Sequence, residues 1–390
     1  MDSASPKPLP LDGVRVLAVE QYGAGPFGSL HLADLGAEVI KIESPEGGDV
    51  SRATGPHFLG PQDSQFFQTF NRNKKSLVLD LKAPEDRAHF HRLAAGADIV
   101  LNNLRGDQPA RLGLTCAALA PINPRIVCGH LSAYGRDNER AAWPGYDYLM
   151  QAECGFMHLT GEPEGPPSRM GLSIVDYMSG VTLATGLLAA LVGALKTGQG
   201  RDVDVSLFDV ALFQLTYPAT WFLNGGTVTQ RLARSAHPAT VPCQLFPTAD
   251  GNVMVMCMTP KFWDLLVAEI DDDALRAPRF AQVADRRTHK AELVALLDAA
   301  FMRRRTADWM QALAGRIPIA PVLDLPAALH NPHVQQQGLL QNLPHPAAPD
   351  FRMLASPIKL DGQRLPGRVC SALGADSAAL GVDRPGPDRS

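Results

Sequence analysis

The sequence has few of the features that mark a secreted, disulfide-stabilised or nucleic-acid-binding protein. Its 390 residues include only six cysteines, with no CxxC pair among them, and no secretory hydrophobic segment follows Met1. The formal net charge is -4, which gives no general basic surface for nucleic acid. Internal repeats are absent, and no metal site is predicted. These absences indicate a reduced, cytoplasmic protein that does not bind nucleic acid.

The chain also exceeds the length at which a single hydrophobic core usually keeps growing, so two domains are expected. The pattern of predicted elements changes near Gly226. Alternating strands and helices precede this point, and a hairpin pattern and amphipathic helices follow it. Residues 1–225 are therefore predicted to be the N-terminal part of a large α/β domain.

Charge is missing from one long stretch. No formal charge occurs between Tyr177 and Leu195, Lys196 follows in the expected last turn, and Gly198 is a predicted C-terminal cap. Asp176 stands at the N-terminal end of this predicted helix. The helix dipole is expected to keep that carboxylate ionised at neutral pH without a neighbouring Arg or Lys. From the residues alone, Asp176 is either a helix cap or a functional group.

The same helix is long and apolar enough to raise the possibility of a membrane span, since roughly 18 apolar residues can cross a bilayer. Gly180, Gly186 and Gly193, together with several alanines, favour instead a helix buried against other backbone segments. No membrane association is predicted.

The first part of the chain has the alternation of a parallel α/β sheet. Residues 14–20 and the segment EVIKIE are predicted strands, with a helix ending near Leu35 between them. Gly23, Gly25 and Gly28 form a G-x-G-x-x-G pattern, and Glu43 follows about 20 residues later, as in dinucleotide-binding proteins. The pattern indicates a tight turn and a helix N-terminus that a ligand can approach. A nicotinamide-dependent dehydrogenase remains one alternative.

Basic and amide side chains cluster around the next predicted strands, SLVLDL, ADIVLNN and IVCGHL. Ligands of open α/β sheets bind beyond the carboxyl ends of the strands, so this group suits a phosphate-bearing ligand. Its members are Lys75, Asn103, Arg105, Arg111, Arg136 and Arg140.

In the predicted second domain, QLFPTADG and NVMVMCM form a strand pair around an Asp-Gly turn. The segments PKFWDLLVAEI, RTHKAELVALLDAAFMRR and TADWMQALA are predicted amphipathic helices. The segment IPIAPVLDL is predicted to be a connector that returns to the first domain.

Several stretches, in order, resemble the class III CoA-transferases, a family that contains formyl-CoA:oxalate and carnitine CoA-transferases and α-methylacyl-CoA racemases. They are LDGVRVLAVEQYGAGPFGSLHLADLGAEVIKIE, FNRNKKSLVLDL, GYDYLMQAECGFMHLTGEPEGPPSRMGLSIVDYMSG and HPATVPCQLFPTADG. The resemblance implies a Rossmann-like large domain formed by both chain ends and a smaller inserted α+β domain. Residues 226–325 would form the small domain, residues 326–390 would return to the large one, and two subunits would interlock as a homodimer.

The catalytic aspartate of that family corresponds to Asp176. In the transferases it attacks the donor thioester, and the resulting anhydride exchanges with the CoA thiolate to give an aspartyl-CoA thioester. Where the racemases have Gly-His-Asp, this chain has Gly145, Tyr146 and Asp147. A tyrosine is a poor carbon base at neutral pH, so CoA transfer is favoured over racemisation, with Tyr146 as a hydrogen-bond donor near the thioester. An acyl-CoA racemase or isomerase and a non-catalytic CoA-binding protein remain alternatives.

The resemblance also supplies candidates for the binding of coenzyme A. It places the first loop, with Gly23 and Ala24, at the CoA site, and Ser44 stands where an arginine is common. Arg105 or Arg140 is expected to replace that arginine at the diphosphate. The positions that match adenine, ribose and phosphate contacts are Lys75, Asn103, Leu104 and Arg111.

The predicted donor is succinyl-CoA, and the predicted acceptor is a small dicarboxylic acid such as mesaconate, itaconate or citramalate. Three residues flank the loops expected nearest the acyl group and are candidates to hold the distal carboxylate, namely Arg169, Arg234 and His237.

Overall fold

A six-stranded parallel sheet forms the centre of the larger of two units into which the chain divides. The structure, a computed structural model, describes residues 7–382. The first unit contains the described residues up to Cys154, the stretch Met170–Thr216, and the described residues from Pro332 on. The second contains Gly155–Arg169 and Tyr217–Asn331.

The sheet of the first unit has the order of a doubly wound α/β fold. Its strands lie in the order β3-β2-β1-β4-β5-β6 and pair in parallel throughout. The order reverses between β1 and β4, so the carboxyl ends of these two strands open a crevice. In chain order the strands are β1 (Arg15–Val19), β2 (Glu38–Glu43), β3 (Lys75–Val78), β4 (Ile99–Asn102), β5 (Val127–Ser132) and β6 (Asp202–Ser206).

Six helices of seven or more residues lie within the first unit: α1 (Ala24–Asp34), α2 (Gln65–Asn71), α3 (Pro84–Ala94), α4 (Asp147–Glu153), α5 (Ile174–Thr197) and α6 (Leu207–Gln214). Shorter helical segments are Val50–Ala53, Gln108–Arg111, Cys116–Leu119, Pro332–Gln336 and Ala378–Leu380. Three short antiparallel ladders pair Phe58–Gly60 with Asp63–Ser64, Leu340–Asn342 with Arg352–Leu354, and Lys359–Leu360 with Gln363–Arg364.

The C-terminal segment is bound to the N-terminal half of this unit. The Cys370 N–H donates to Gln68 Oε1 at 2.8 Å, and the Ser76 N–H donates to Asp376 Oδ2 at 2.8 Å. The N-terminal and C-terminal parts of the described chain therefore both contribute to the first unit.

Helix α5 is longer at its start than the sequence predicted. It begins at Ile174 rather than near Tyr177, with Ser173 as N-cap, so Asp176 lies in the first turn. The interpretation of Asp176 as the helix cap is therefore wrong. The predicted C-cap is confirmed: Gly198 has the left-handed conformation, with φ 73°.

Close packing of α5 on α1 depends on two glycines. A Cβ atom at Gly180 would lie 2.6 Å from the Ala24 carbonyl oxygen, and one at Gly28 would lie 2.8 Å from the Gly180 carbonyl oxygen. The two backbones thus meet without intervening side chains, which fixes the start of α5 against the loop that follows β1.

By length and composition alone, α5 could cross a membrane, and it is the only such helix among residues 7–382. In its most hydrophobic window 44% of the residues are buried within the structure. The core helix of a soluble protein meets the same criteria, and the absence of membrane association stays a prediction.

The second unit has a three-stranded antiparallel sheet in the order β9-β8-β7. Its strands are β7 (Cys243–Pro247), β8 (Asn252–Met256) and β9 (Ile319–Pro321), and its longer helices are α7 (Pro260–Ile270), α8 (Lys290–Phe301) and α9 (Thr306–Leu313). Shorter helical segments are Phe156–Leu159, Ala233–Ser235, Asp273–Arg276, Pro278–Phe280, Val283–Thr288 and Leu325–Leu329. A further helix, Thr216–Gly225, has its first residue in the first unit and the rest in the second.

Two features of the second unit differ from the sequence interpretation. Ile319–Pro321, expected to be a connector, is strand β9, because its backbone pairs with the free edge of β8. Residues 155–169 belong to this unit and not to the large domain. They are bound there by Arg231, which donates to the Pro166 carbonyl at 2.8 Å, and by the Arg234 N–H, which donates to the Glu162 carboxylate at 2.8 Å.

Candidate active site

Asp176 projects from a helix start that another acidic residue caps. The N–H groups of Val175 and Asp176 donate to Asp147 Oδ2 at 2.7 and 3.0 Å. Gln151, one turn along α4, donates to the second oxygen of Asp147 and accepts the Met170 N–H at 2.9 Å. Because Asp147 performs the capping, the carboxylate of Asp176 is available for another purpose.

The Asp176 carboxylate lies against the loop that joins β1 to α1. A Cβ atom at Gly23 would lie 2.8 Å from Asp176 Oδ2, so any larger residue there would displace the carboxylate. Gly23 is the N-cap of α1. The carboxylate therefore lies beside the positive end of α1 while it projects from the first turn of α5.

Burial and a like charge raise the pKa of Asp176 to about 7. Burial, which disfavours the charged form, is the larger cause, and the neighbouring charge of Asp147 adds to it. The expectation that the helix dipole keeps Asp176 fully ionised at neutral pH is therefore wrong, because removal from water outweighs the dipole. A carboxylate with this pKa is a stronger base than an ordinary aspartate and is partly ionised near pH 7.

Asp176 lines a cavity of about 320 Å³ at the crevice between β1 and β4. Segments that follow the carboxyl ends of β1, β4 and β5 form its wall, as expected for an open parallel sheet. Its lining residues are Gln21, Tyr22, Gly23, Ala24, Asn103, Leu104, Arg105, Gln108, Leu131, Ser132, Ala133, Trp143, Pro144, Gly145, Tyr146, Asp176 and Leu207.

Seven of the residues singled out from the sequence therefore lie around one cavity: Asp176, Tyr146, Gly23, Ala24, Asn103, Leu104 and Arg105. Tyr146 is the N-cap residue of α4, and 66% of its surface is exposed. It lines the same cavity as Asp176, and its role as a hydrogen-bond donor to the thioester stays a prediction.

Two further arginines lie next to lining residues but do not line the cavity. Arg111 and Arg105 each approach the carboxylate of Asp107 to 3.3 Å. Arg140 donates to Glu153 at 2.6 Å and lies over the ring of Trp143, with its guanidinium carbon 4.8 Å from the ring centroid. Arg111 and Arg140 would each have to break an ion pair with an acidic side chain in order to bind a diphosphate.

The structure does not bring Lys75 to Asp176. Lys75 is the first residue of β3, forms an ion pair with Glu38, and lines a different cavity together with Asp12 and Arg368. Lys75 lies at the amino end of its strand, whereas the cavity with Asp176 lies at the carboxyl ends. In a parallel sheet these ends are at opposite edges.

The three candidates for acceptor binding belong to the second unit. The Arg234 guanidinium donates to Asp298 at 2.6 Å. His237 Nδ1 accepts the N–H groups of Ala239 and Thr240 at 3.0 and 3.1 Å, so its ring stabilises a local turn. Arg169 is exposed at the end of the segment 155–169. Their part in binding an acid stays a prediction.

The dinucleotide pattern has a structural explanation in this chain. Both oxygens of Glu43 accept from the buried Arg52 guanidinium, at 2.7 and 2.8 Å, so this acid is not available to a ribose. The glycines provide room instead for Asp176 at Gly23, for the Asn103 side chain at Gly25, and for α5 at Gly28. These contacts disfavour the nicotinamide alternative.

Sequence analysis missed Asp147 and Gln151 as parts of the site. They are four residues apart in GYDYLMQ, a spacing that allows an Asp–Gln pair on one helical face. That spacing was the available signal, but their contacts with residues 170–176 depend on tertiary packing. Among residues 7–382 no group of three or more His, Cys, Asp or Glu side chains could hold a metal ion.

Fold and site together define a Rossmann-like α/β protein with a partly buried carboxylate at its ligand crevice. Residues 11–377 match CoA-transferase family III, and the chain belongs to that family. It is therefore a CoA-transferase by family, as the motifs in its sequence indicated.

Characterised relatives and solved structures agree with this assignment. The chain is 34% identical to succinate–glutarate CoA-transferase of Agrobacterium fabrum, over 88% of this chain and 87% of the relative. It is 34% identical to acetyl-CoA:oxalate CoA-transferase of Acetobacter aceti, over 90% of each. A crystal structure of a CAIB/BAIF family protein from Brucella suis superposes with a TM-score of 0.83 at 30% identity, covering 96% of this chain and 99% of that one.

Proposed function

We propose that the protein moves coenzyme A from an acyl-CoA donor to a small carboxylic acid, with Asp176 as the nucleophile. The observation that supports this most directly is the Asp176 carboxylate itself. It lines the cavity at the sheet crevice and lies beside the start of α1. Asp147 caps α5 in its place, and the pKa of Asp176 is raised to about 7.

The chemistry that follows is a series of acyl exchanges. An oxygen of the Asp176 carboxylate attacks the donor thioester carbonyl, and the C–S bond breaks to give a mixed anhydride and CoA thiolate. The thiolate then attacks the aspartyl carbonyl, which releases the donor acid and leaves an aspartyl-CoA thioester. The acceptor carboxylate attacks that thioester, and the returning thiolate forms the new acyl-CoA and frees Asp176.

The surroundings of Asp176 suit these steps. The N-terminal end of α1 and the first turn of α5 favour negative charge, which develops on the carbonyl oxygen in each exchange. Tyr146 is proposed to donate a hydrogen bond near the thioester. The loop Asn103–Arg105 is proposed to line the path of the CoA diphosphate, with Arg111 and Arg140 next to it.

The acid specificity is proposed from two sources. The names of the two relatives pair succinate with glutarate and acetyl-CoA with oxalate, so three of the four acids are dicarboxylic and acetate is not. The candidates for the distal carboxylate in this chain are Arg169, Arg234 and His237. Succinyl-CoA as donor and a small dicarboxylic acid as acceptor therefore remain the proposed pair.

The function is tested by incubating the protein with succinyl-CoA and a panel of mono- and dicarboxylic acids, and by identifying new thioesters with mass spectrometry. We expect one or a few dicarboxylic acids to acquire CoA with release of succinate. Solvent deuterium incorporated at the acyl α-carbon, without transfer to any acid, would instead support the racemase alternative. The variant Arg169→Ala, compared with the exposed Arg125→Ala, tests whether the predicted acid contact affects acceptor KM.

Assembly and location are proposed on the same basis. The family resemblance implies an interlocked homodimer, in which segments 194–226 and 317–329 carry the chain between domains. The exposed apolar side chains of α5 and α6, among them Leu195 and Phe213, support a contact with a second copy. A cytoplasmic location is proposed from the sequence, whose six cysteines are scattered with no CxxC pair.

A further inference from the structure

The Asn103 side chain joins the two loops that meet at the sheet crevice. Its Nδ2 group donates to the Gln21 carbonyl at 2.7 Å, and its Oδ1 atom accepts the Gln21 N–H at 2.9 Å. Gln21 lies two residues beyond the end of β1, and Asn103 directly follows β4. The amide thus forms a two-bond bridge, like a rung of the sheet, at the point where the strand order reverses.

A glycine makes room for this bridge. A Cβ atom at Gly25 would lie 2.8 Å from both Cβ and Cγ of Asn103. Gly25 is buried in the first turn of α1, and it is absent from the lining of the cavity. A larger residue at position 25 would therefore displace the Asn103 side chain, although this position does not line the cavity.

The bridged loop also contacts the proposed nucleophile. Gly23, two residues after Gln21, lies against Asp176 Oδ2. Between them Tyr22 has a left-handed backbone conformation, with φ 70°, which a residue other than glycine adopts only when its surroundings hold it there. The Tyr22 N–H is bound by Asp49 at 3.0 Å. The loop is therefore held on one side by Asp49 and on the other by Asn103.

We propose that Asn103 is a positioning residue. The two hydrogen bonds between its amide and the Gln21 backbone form a clasp, which keeps Gly23 in contact with the Asp176 carboxylate. The sequence resemblance implied a direct contact between Asn103 and CoA. In this structure both ends of the amide are already engaged with the Gln21 backbone, and the chain of contacts leads to Asp176. The effect on turnover rests on the proposed function, whereas the clasp itself does not.

The test compares Asn103→Ala, which removes the clasp, with Gly25→Ala, which forces the clasp apart and removes no group that could touch CoA. Gly193→Ala is the matched control, because it is also a helical glycine and a Cβ atom there would meet nothing within 4 Å. Circular dichroism and thermal unfolding establish that all three variants fold.

Two measurements need no activity. Amide hydrogen exchange at Gln21 reports the clasp, and the pH dependence of carbodiimide labelling of Asp176, read by peptide mass, reports the titration of the carboxylate. We expect faster Gln21 exchange and a lower Asp176 midpoint in both Asn103→Ala and Gly25→Ala, since a loosened loop admits water. Gly193→Ala is expected to match the wild type in both measurements.

Kinetics then separate positioning from ligand binding. A displaced nucleophile should lower kcat about 100-fold in both variants while the KM for acyl-CoA changes little. If Asn103→Ala raised only the KM for acyl-CoA, and Gly25→Ala left kcat and the Asp176 midpoint unchanged, Asn103 would be a CoA ligand and the proposal would be wrong. A wild type that transfers no CoA, yet shows the expected exchange and labelling differences, would contradict the proposed function and leave the clasp supported.

Discussion

Asp176 and Asp147 are two acids at one helix start with different surroundings. Asp147 accepts two backbone N–H groups and one side-chain N–H, all from residues 151–176. Asp176 lies partly buried against Gly23, and burial and the charge of Asp147 raise its pKa to about 7. One acid thus organises the backbone, and the other is left with a raised pKa, which is the pattern of a site that assigns separate roles to neighbouring carboxyl groups.

Replacement of Asp176 distinguishes a structural role of its side chain from a role as nucleophile. Asp176→Asn retains the shape of the side chain, and Asp147 still caps α5, so we expect a folded protein that binds CoA. Transfer should fall by at least about 1000-fold, because an amide cannot form the acyl anhydride. Hydroxylamine or borohydride added during turnover should mark a peptide that contains Asp176 only in the wild type. An active Asn variant, measured before deamidation to Asp is possible, would contradict the mechanism.

The pKa of Asp176 also predicts a pH dependence of activity. The nucleophile must be ionised, so kcat/KM should rise with pH through a midpoint near 7. Asp147→Asn removes one of the two causes of the raised pKa and should move this midpoint to lower pH. A midpoint that does not change in this variant would show that the charge of Asp147 does not act on Asp176.

Stability should depend on pH for the same reason. Between about pH 4 and pH 7 the folded protein holds a proton on Asp176 that the unfolded chain has released, so the wild type loses stability as pH rises through this range. Asp176→Asn lacks this loss. Relative to the wild type, this variant should therefore be more stable at pH 8 than at pH 5, by up to about 3 kcal/mol in the free energy of unfolding. Urea denaturation at both values measures the difference, and an equal effect at the two would exclude a buried proton on Asp176.

At the scale of elements, the contact between α1 and α5 holds the nucleophile in place. Gly180→Ala would put a methyl group 2.6 Å from the Ala24 carbonyl oxygen and 2.8 Å from the Gly28 nitrogen, which are both backbone atoms. We expect a loss of about 1–3 kcal/mol in the free energy of unfolding, despite the better helix propensity of alanine. Gly193→Ala, in the same helix but with open space around it, should be neutral or gain up to about 1 kcal/mol. Equal effects of the two substitutions would show that the helices do not meet at Gly180.

The elements themselves could largely be predicted from the sequence, whereas the contacts between them could not. The run EVIKIE and the glycine after α5 act locally, and the predicted strand β2 and the C-cap at Gly198 are confirmed. The start of α5 was placed too late because its cap is supplied by Asp147, 29 residues before Asp176. Strand β9 was missed because three residues have too little pattern, and only the free edge of β8 makes them a strand.

The residues of the candidate site could also be predicted only in part from the sequence. Motif order indicated Asp176, Tyr146 and the first loop, which lie around one cavity. Lys75 was predicted from its charge, its place near a strand and its match to a CoA contact of the family, but the direction of β3 puts it at the other edge of the sheet. Gln151 is an uncharged residue inside a helix, and only its contacts with Asp147 and Met170 show its part in the site.

At the scale of the whole molecule, α5 and α6 expose large apolar side chains. Within one copy Leu195 of α5 is 63% exposed and Phe213 of α6 is 81% exposed. Isolated apolar residues are common on protein surfaces, but a group of large side chains on adjoining helices is typical of an interface. We therefore predict a homodimer, which the family resemblance specifies as interlocked.

An interlocked dimer differs from an ordinary one in how it exchanges subunits. Ordinary dimers separate on dilution in proportion to their Kd, whereas two chains threaded through each other can separate only if they unfold in part. Sedimentation at nanomolar concentration should therefore show a dimer alone. Tagged and untagged dimers, prepared separately and mixed, should form no mixed species over days in buffer but should form them after denaturation and refolding. Phe213→Asp should reduce dimer yield during folding without speeding exchange in the dimers that form. A folded monomer at nanomolar concentration, or rapid exchange in native buffer, would contradict the interlocked arrangement.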